Sequence, residues 1–91
     1  MYATKIKMKP GCGTSNNLLE IDSIYLTGNN TEQYYKKENL HKYLTENPGT
    51  IKVNISPYPN LIPATSSNGE KYVKSSPNNT TNDNLLSLPR E

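Results

Sequence analysis

The side chains able to do covalent or acid–base chemistry in this 91-residue sequence are few and scattered. There is a single histidine, His41, and a single cysteine, Cys12, the latter between Gly11 and Gly13. Flanking glycines leave a thiol sterically open, but thiolate chemistry also needs a neighbouring base or a helix N-terminus. Nothing in the spacing brings His41 to Cys12, and no motif gives His41 the hydrogen-bonded partner that a general base requires. Both read as ordinary surface or boundary residues. Glu20 and Asp22 stand two apart on one strand face, where two carboxylates could meet a hard cation, but no further ligand of the right type lies nearby. One cysteine excludes an internal disulfide and the structural zinc sites that draw two to four cysteines from a chain. Pro10-Gly11-Cys12-Gly13-Thr14 has the glycines of a phosphate loop without the G-x-x-x-x-G-K-[ST] spacing. The residues therefore point away from an enzyme, and they call for no metal and no cofactor.

Residues suited to recognition come late in the chain. Lys71, Tyr72 and Lys74 follow an Asn68-Gly69 turn, and Thr80, Asp83 and Asn84 come soon after. Lysine offers charge to an anion, tyrosine a stacking face with a hydroxyl, and asparagine a paired donor and acceptor for the edge of a base. The first reading is thus a non-enzymatic module that captures a small anionic, nucleotide-like ligand, as a phage protein sequestering a host signal would. The same residues also suit structural work: Tyr72 in strand packing, Thr80 and Asp83 in turn or cap hydrogen bonds. The alternative is a protein-interaction module, an inhibitor of a host protein or an assembly component, favoured by a thin core and exposed tyrosines. A third reading, nucleic-acid binding, draws on Lys5, Lys7 and Lys9 near Tyr2, against a net charge of only +2.

These residues must be positioned by a single small domain spanning 1–91, since one domain usually needs about 50–250 residues. Hydrophobic residues make up 32%, with no Phe or Trp and seven Tyr, so little apolar surface is on offer for burial. A core that thin makes a homodimer the expected state. No run of 18 apolar residues and no signal peptide are present, which points to a soluble cytoplasmic protein. Thirteen Asn and a single Arg suggest A/T-rich codons, hence a bacterial or phage source.

Period-two alternation marks Tyr2 to Lys9 as a strand, with Tyr2, Thr4, Ile6 and Met8 on one side and Ala3, Lys5, Lys7 and Lys9 on the other. Leu18 to Leu26 reads as a second, antiparallel strand with a bulge at Ser23. Leu40, Tyr43 and Leu44 give helical spacing within 36–46, ended by Asn47-Pro48-Gly49. Ile51 to Ile55 reads as a third strand, Leu61 to Thr65 as an edge strand, and Asn68-Gly69 as the hairpin turn into Glu70 to Ser75. Leu40, Tyr43 and Leu44 are expected to bury against Ile6, Ile21, Val53 and Ile55, and Leu85 and Leu88 to be buried by a docking tail over 76–91. The fold expected is α+β: an antiparallel sheet of four to five strands, one short helix on a face and a docked C-terminal tail.

The ending carries a resemblance. Gly69, Lys71 and Tyr72 fit a G-x-K-Y hairpin; Thr80 fits a D-x-T turn, with Asn78 where Asp is usual; Asp83-Asn84-Leu85 and Leu88-Pro89 fit a D-N-L-x-x-L-P close. In these features the chain resembles the domain of unknown function 3892 family of small bacterial and phage proteins. A His common before the second strand is absent, and the Gly11-Cys12-Gly13 loop has no counterpart there. The resemblance implies a small α+β domain and brings no activity with it.

Overall fold

The computed structural model describes residues 1–15, 17–28, 30–56, 58–76 and 84–90. Among these residues the order is β1 (Tyr2–Met8), β2 (Ile21–Gly28), β3 (Thr31–Lys36), α1 (Lys37–Glu46), β4 (Lys52–Val53), β5 (Leu61–Thr65) and β6 (Lys71–Ser75). Short 3-10 turns occupy Leu18–Glu20 and Asn84–Ser87. The architecture is α+β, but its strands form two sheets: β3-β2-β1-β4, and the hairpin β5-β6. A single antiparallel sheet is therefore not what forms, and β4 runs parallel to β1.

The cause lies between residues 51 and 61. The expected strand 51–55 contracts to two residues, because the chain turns at Ile55, whose carbonyl accepts from the Tyr58 amide. The Asn54 amide donates to Ala3, while the Val53 amide reaches the Pro59 carbonyl and the Leu61 amide reaches Ile51. β4 is thus bonded on both sides, to β1 and to the returning chain. Proline has no amide to lend a ladder, and Pro59 and Pro63 bracket the start of β5.

In β1 the alternation is broken by one extra residue. Ala3 pairs with Leu26 and Lys5 with Tyr25, so Thr4 is a bulge. The slip turns Ala3 inward with Ile6 and Met8, and all three are buried. A second irregularity falls at Asp22, between the pairs Met8–Ile21 and Lys7–Ser23, one residue from the bulge that the sequence suggests. Residues 18–20 form a 3-10 turn, not strand, because the Asn17 side chain caps the Leu19 amide at 3.0 Å.

Helix α1 contains no β-branched residue before Thr45, carries Glu38 in its first turn and ends where Asn47 donates to the Tyr43 carbonyl from both its backbone and side chain. Leu40 and Leu44 are buried, mainly against β5 and β6 and less against β2 and β3. Each such leucine stabilises by about 1.5–3 kcal/mol. Tyr43, expected in the core, is instead 37% exposed, and Ile55 is only half-buried. The spacing i, i+3, i+4 drew Tyr43 into the stripe; the real stripe is 37, 40 and 44.

The β5–β6 turn closes with Gly69 donating to Ser66 and Ser66 to Glu70, which requires the left-handed φ of +84° that Gly69 adopts. At the other end of the chain, Leu85 and Leu88 are buried, and the Ile6 amide donates to the Pro89 carbonyl at 2.9 Å. Residues 77–83, which fall within the expected tail, lie outside the described residues. No helix among the described residues is long and apolar enough to cross a membrane.

Candidate ligand-binding face

Strand alternation divides the late cluster of recognition residues. On β6, Val73 and Ser75 point inward and are buried, and Lys71 shares their side at the exposed end of the strand. Tyr72 and Lys74 occupy the opposite side, beside Ala64 and Ile62, and both are half-buried. The two lysines therefore do not share a face. Thr80 and Asp83 lie outside the described residues, and Asn84 opens the final 3-10 turn.

Glu20 and Asp22 are held as structural acceptors. Glu20 accepts from the Ser15 hydroxyl and, at 3.0 Å, from the Cys12 thiol. Those two hydrogen bonds hold the Glu20 carboxyl below its ordinary range, and the bond to Glu20, with its charge and partial burial, pushes the Cys12 thiol up. A thiol kept protonated is a poor nucleophile. Asp22 accepts from Ser23 and then Lys36, which lower its pKa in that order. Glu20 and Asp22 thus have separate partners; no cluster of three His, Cys, Asp or Glu side chains occurs among the described residues. His41 Nε2 lies 3.4 Å from the Thr65 hydroxyl, on the surface.

Two structural residues escaped the sequence reading. Lys37, first in α1, is only 1% exposed, and its Nζ donates at 2.5 Å to both the Leu19 carbonyl and Glu70 Oε2. Lys9 lies 3.5 Å from the same carboxylate oxygen. The Lys37 hydrogen bond and charge hold Glu70 below its ordinary range. The signal was present: Lys37 precedes Leu40 by three positions, on the apolar stripe. Arg90 donates to the carbonyls of Gly13, Ser15 and Leu86, clasping the glycine loop.

The outer face of the four-stranded sheet has a different character. α1 approaches β2 and β3 from the side of Ile24 and Leu26, so the alternate residues turn away. One cross-strand row runs Tyr34, Tyr25, Lys5. A second runs Glu32, Thr27, Tyr2, Lys52, and a third Lys36, Ser23, Lys7. Tyr25 and Tyr34 meet edge to face, centroids 5.0 Å apart, and Lys5 Nζ sits 4.4 Å over the Tyr25 ring. Tyr2 meets Tyr58 edge to face at 6.4 Å; the two are 44% and 49% exposed. Tyr58 holds φ +58°, a left-handed conformation that costs a non-glycine residue about 1–3 kcal/mol. On the far side of the sheet, Met1, Leu26, Thr31, Tyr35, Asn39, Leu40 and Tyr43 line an open, mostly apolar groove of about 550 Å³ beside α1.

Fold and surface together define a small α+β domain with one helix-covered sheet face and one face carrying tyrosine and lysine. The chain belongs to the family described as proteins of unknown function, DUF3892, whose model matches residues 3–89. No curated protein and no solved structure matches it.

Proposed function

We propose that this protein is a non-enzymatic binding module for anionic, nucleotide-like ligands, which it captures without turnover. The observation that carries the reading is the outer sheet face, where Tyr2, Tyr34 and Tyr58 alternate with Lys5, Lys7 and Lys52. Tyrosine rings stack on bases and ammonium groups meet phosphates, and neither needs a catalytic group. Tyr72 and Lys74 form a smaller pairing of the same kind on the hairpin. A thermal-shift screen with nucleotides and cyclic or ADP-ribose-type compounds tests this. A ligand at about 100 times its Kd adds roughly 2.7 kcal/mol, a shift of several degrees. Ligand recovered from the denatured complex should be chemically intact. A screen without any shift, or a cleaved ligand, overturns the reading.

The alternative, a protein-interaction module, has one observation on its side: the apolar groove between α1 and β3. Substituting Tyr43→Lys at its rim separates the two, since it should spare nucleotide binding and abolish capture of a protein partner. The homodimer belongs to the same proposal. Light scattering at micromolar concentration should give about twice the 10.2 kDa chain mass.

A further inference from the structure

We infer that the outer sheet face takes single-stranded nucleic acid, with the strand lying across β3, β2, β1 and β4. This rests on the nucleotide-binding reading above and names its ligand. The first observation is the distribution of charge. Lys5, Lys7, Lys36 and Lys52 face outward against Asp22 and Glu32, so the face carries a surplus equal to the +2 of the whole chain. The remaining residues are balanced. A net charge that looks too small for a nucleic-acid binder is thus concentrated on one surface, where it can act on phosphates.

The second observation is the placement of the rings. Tyr34, half-buried with its hydroxyl shielded from solvent, and the exposed Tyr2–Tyr58 pair are two aromatic stations, set two strands and two residues apart. With strands about 4.8 Å apart and about 3.4 Å rise per residue, the stations are roughly 12 Å from each other. One base cannot reach both; consecutive nucleotides of a strand can. Tyr25 lies between them with Lys5 over its ring, so this position supplies charge. Lys52 beside Tyr2 and Lys7 one row below Lys5 continue the cationic path. Stacking on tyrosine with lysine contacts to the backbone is sequence-tolerant recognition of unpaired bases.

The third observation is the backbone of Tyr58. Its left-handed conformation is unfavourable for tyrosine, and glycine or asparagine would serve the turn better. The ring it presents against Tyr2 gives that conformation a purpose.

The test is fluorescence anisotropy of the intact chain with labelled dT12 and rU12, beside titration with unlabelled uridine monophosphate. Both oligonucleotides should bind at least tenfold more tightly than the monophosphate. With three lysines on phosphates, a tenfold rise in salt should weaken binding roughly a hundredfold. Tyr34→Leu, which keeps bulk and removes the ring, should cost about tenfold. Tyr58→Gly should cost a similar factor while leaving the melting temperature unchanged or raised. If the monophosphate binds as tightly as dT12, the single-strand inference fails and the nucleotide reading survives. If neither binds, both fail. Oligonucleotide binding that ignores both tyrosine changes, or equal binding of poly-glutamate, reduces the face to a non-specific polyanion surface and overturns the inference.

Discussion

Lys37 and Lys5 both stand within two residues of another lysine in sequence, and the fold uses them in opposite ways. Lys37 is buried at the N-terminus of α1, its ammonium shared between a backbone carbonyl and Glu70. Lys5 is exposed on β1 and rests on the face of Tyr25. One charge is consumed in joining the 18–20 turn, the helix and the hairpin; the other remains exposed to solvent. A lysine's role is therefore set by which stripe or face it shares, not by the charge itself. Structure and binding should separate cleanly along that line.

The largest effect is expected where neither lysine is involved. Leu88→Ala removes a side chain 4% exposed and should cost about 2–4 kcal/mol, measured by urea unfolding. A change much below 1 kcal/mol would mean that residues 84–90 contribute little to the core. Next, Lys37→Ala leaves the Leu19 carbonyl without its buried donor and should lower the melting temperature by about 10 °C or more. Lys37→Met, which restores the bulk, should recover part of that loss and so divide packing from hydrogen bonding. A surface-like response to both substitutions would erase the contrast with Lys5.

Acid sharpens it further. Glu20, Asp22 and Glu70 all hold folded pKa values below their ordinary ones. A depressed carboxylate stabilises the fold above its unfolded pKa, about 3.9 for Asp and 4.3 for Glu, and that stability is lost as pH falls through the folded value. Urea midpoints should therefore stay level from about pH 7 to 5 and drop below about pH 4. The Lys37→Met variant should lose the Glu70 part of that drop. Lys5→Ala should move the melting temperature little, since an exposed cation–π contact contributes roughly 0.5–1 kcal/mol, yet weaken dT12 binding several-fold. The smallest effect concerns Cys12. Glu20 raises its pKa, so iodoacetamide at pH 8 should label the folded chain more slowly than the unfolded one. Glu20→Gln should narrow the gap.

The helix, the first strand pair and the hairpin turn were legible in the sequence because local pattern and turn chemistry decide them. Leu40 and Leu44 fix the buried stripe, and Asn68-Gly69 supplies the left-handed position the turn needs. The split into two sheets was not legible. It depends on β4 being bonded on both edges by segments far from it in sequence, which alternation cannot report. The bulge at Thr4 is the same kind of event: one unpaired residue exchanged Ala3 for an expected outward position. For the candidate site, the sequence pointed to Lys71, Tyr72, Lys74, Thr80, Asp83 and Asn84, while Lys5, Lys7 and Lys9 near Tyr2 supported only the third, nucleic-acid reading. Tyr34 and Tyr58 did not join them until strand pairing and a turn brought three separate segments onto one face.

The clasp of Arg90 on the glycine loop has a consequence for how the molecule comes into being. Arg90 reaches Gly13 across 77 residues, and the Ile6 amide waits for the carbonyl of Pro89. During synthesis at about 5–20 residues per second, the loop and the edge of β1 stay unfinished for roughly 4–15 s after they leave the ribosome. The last step of folding thus waits for residues 89 and 90, and its rate should be governed by closing that long loop.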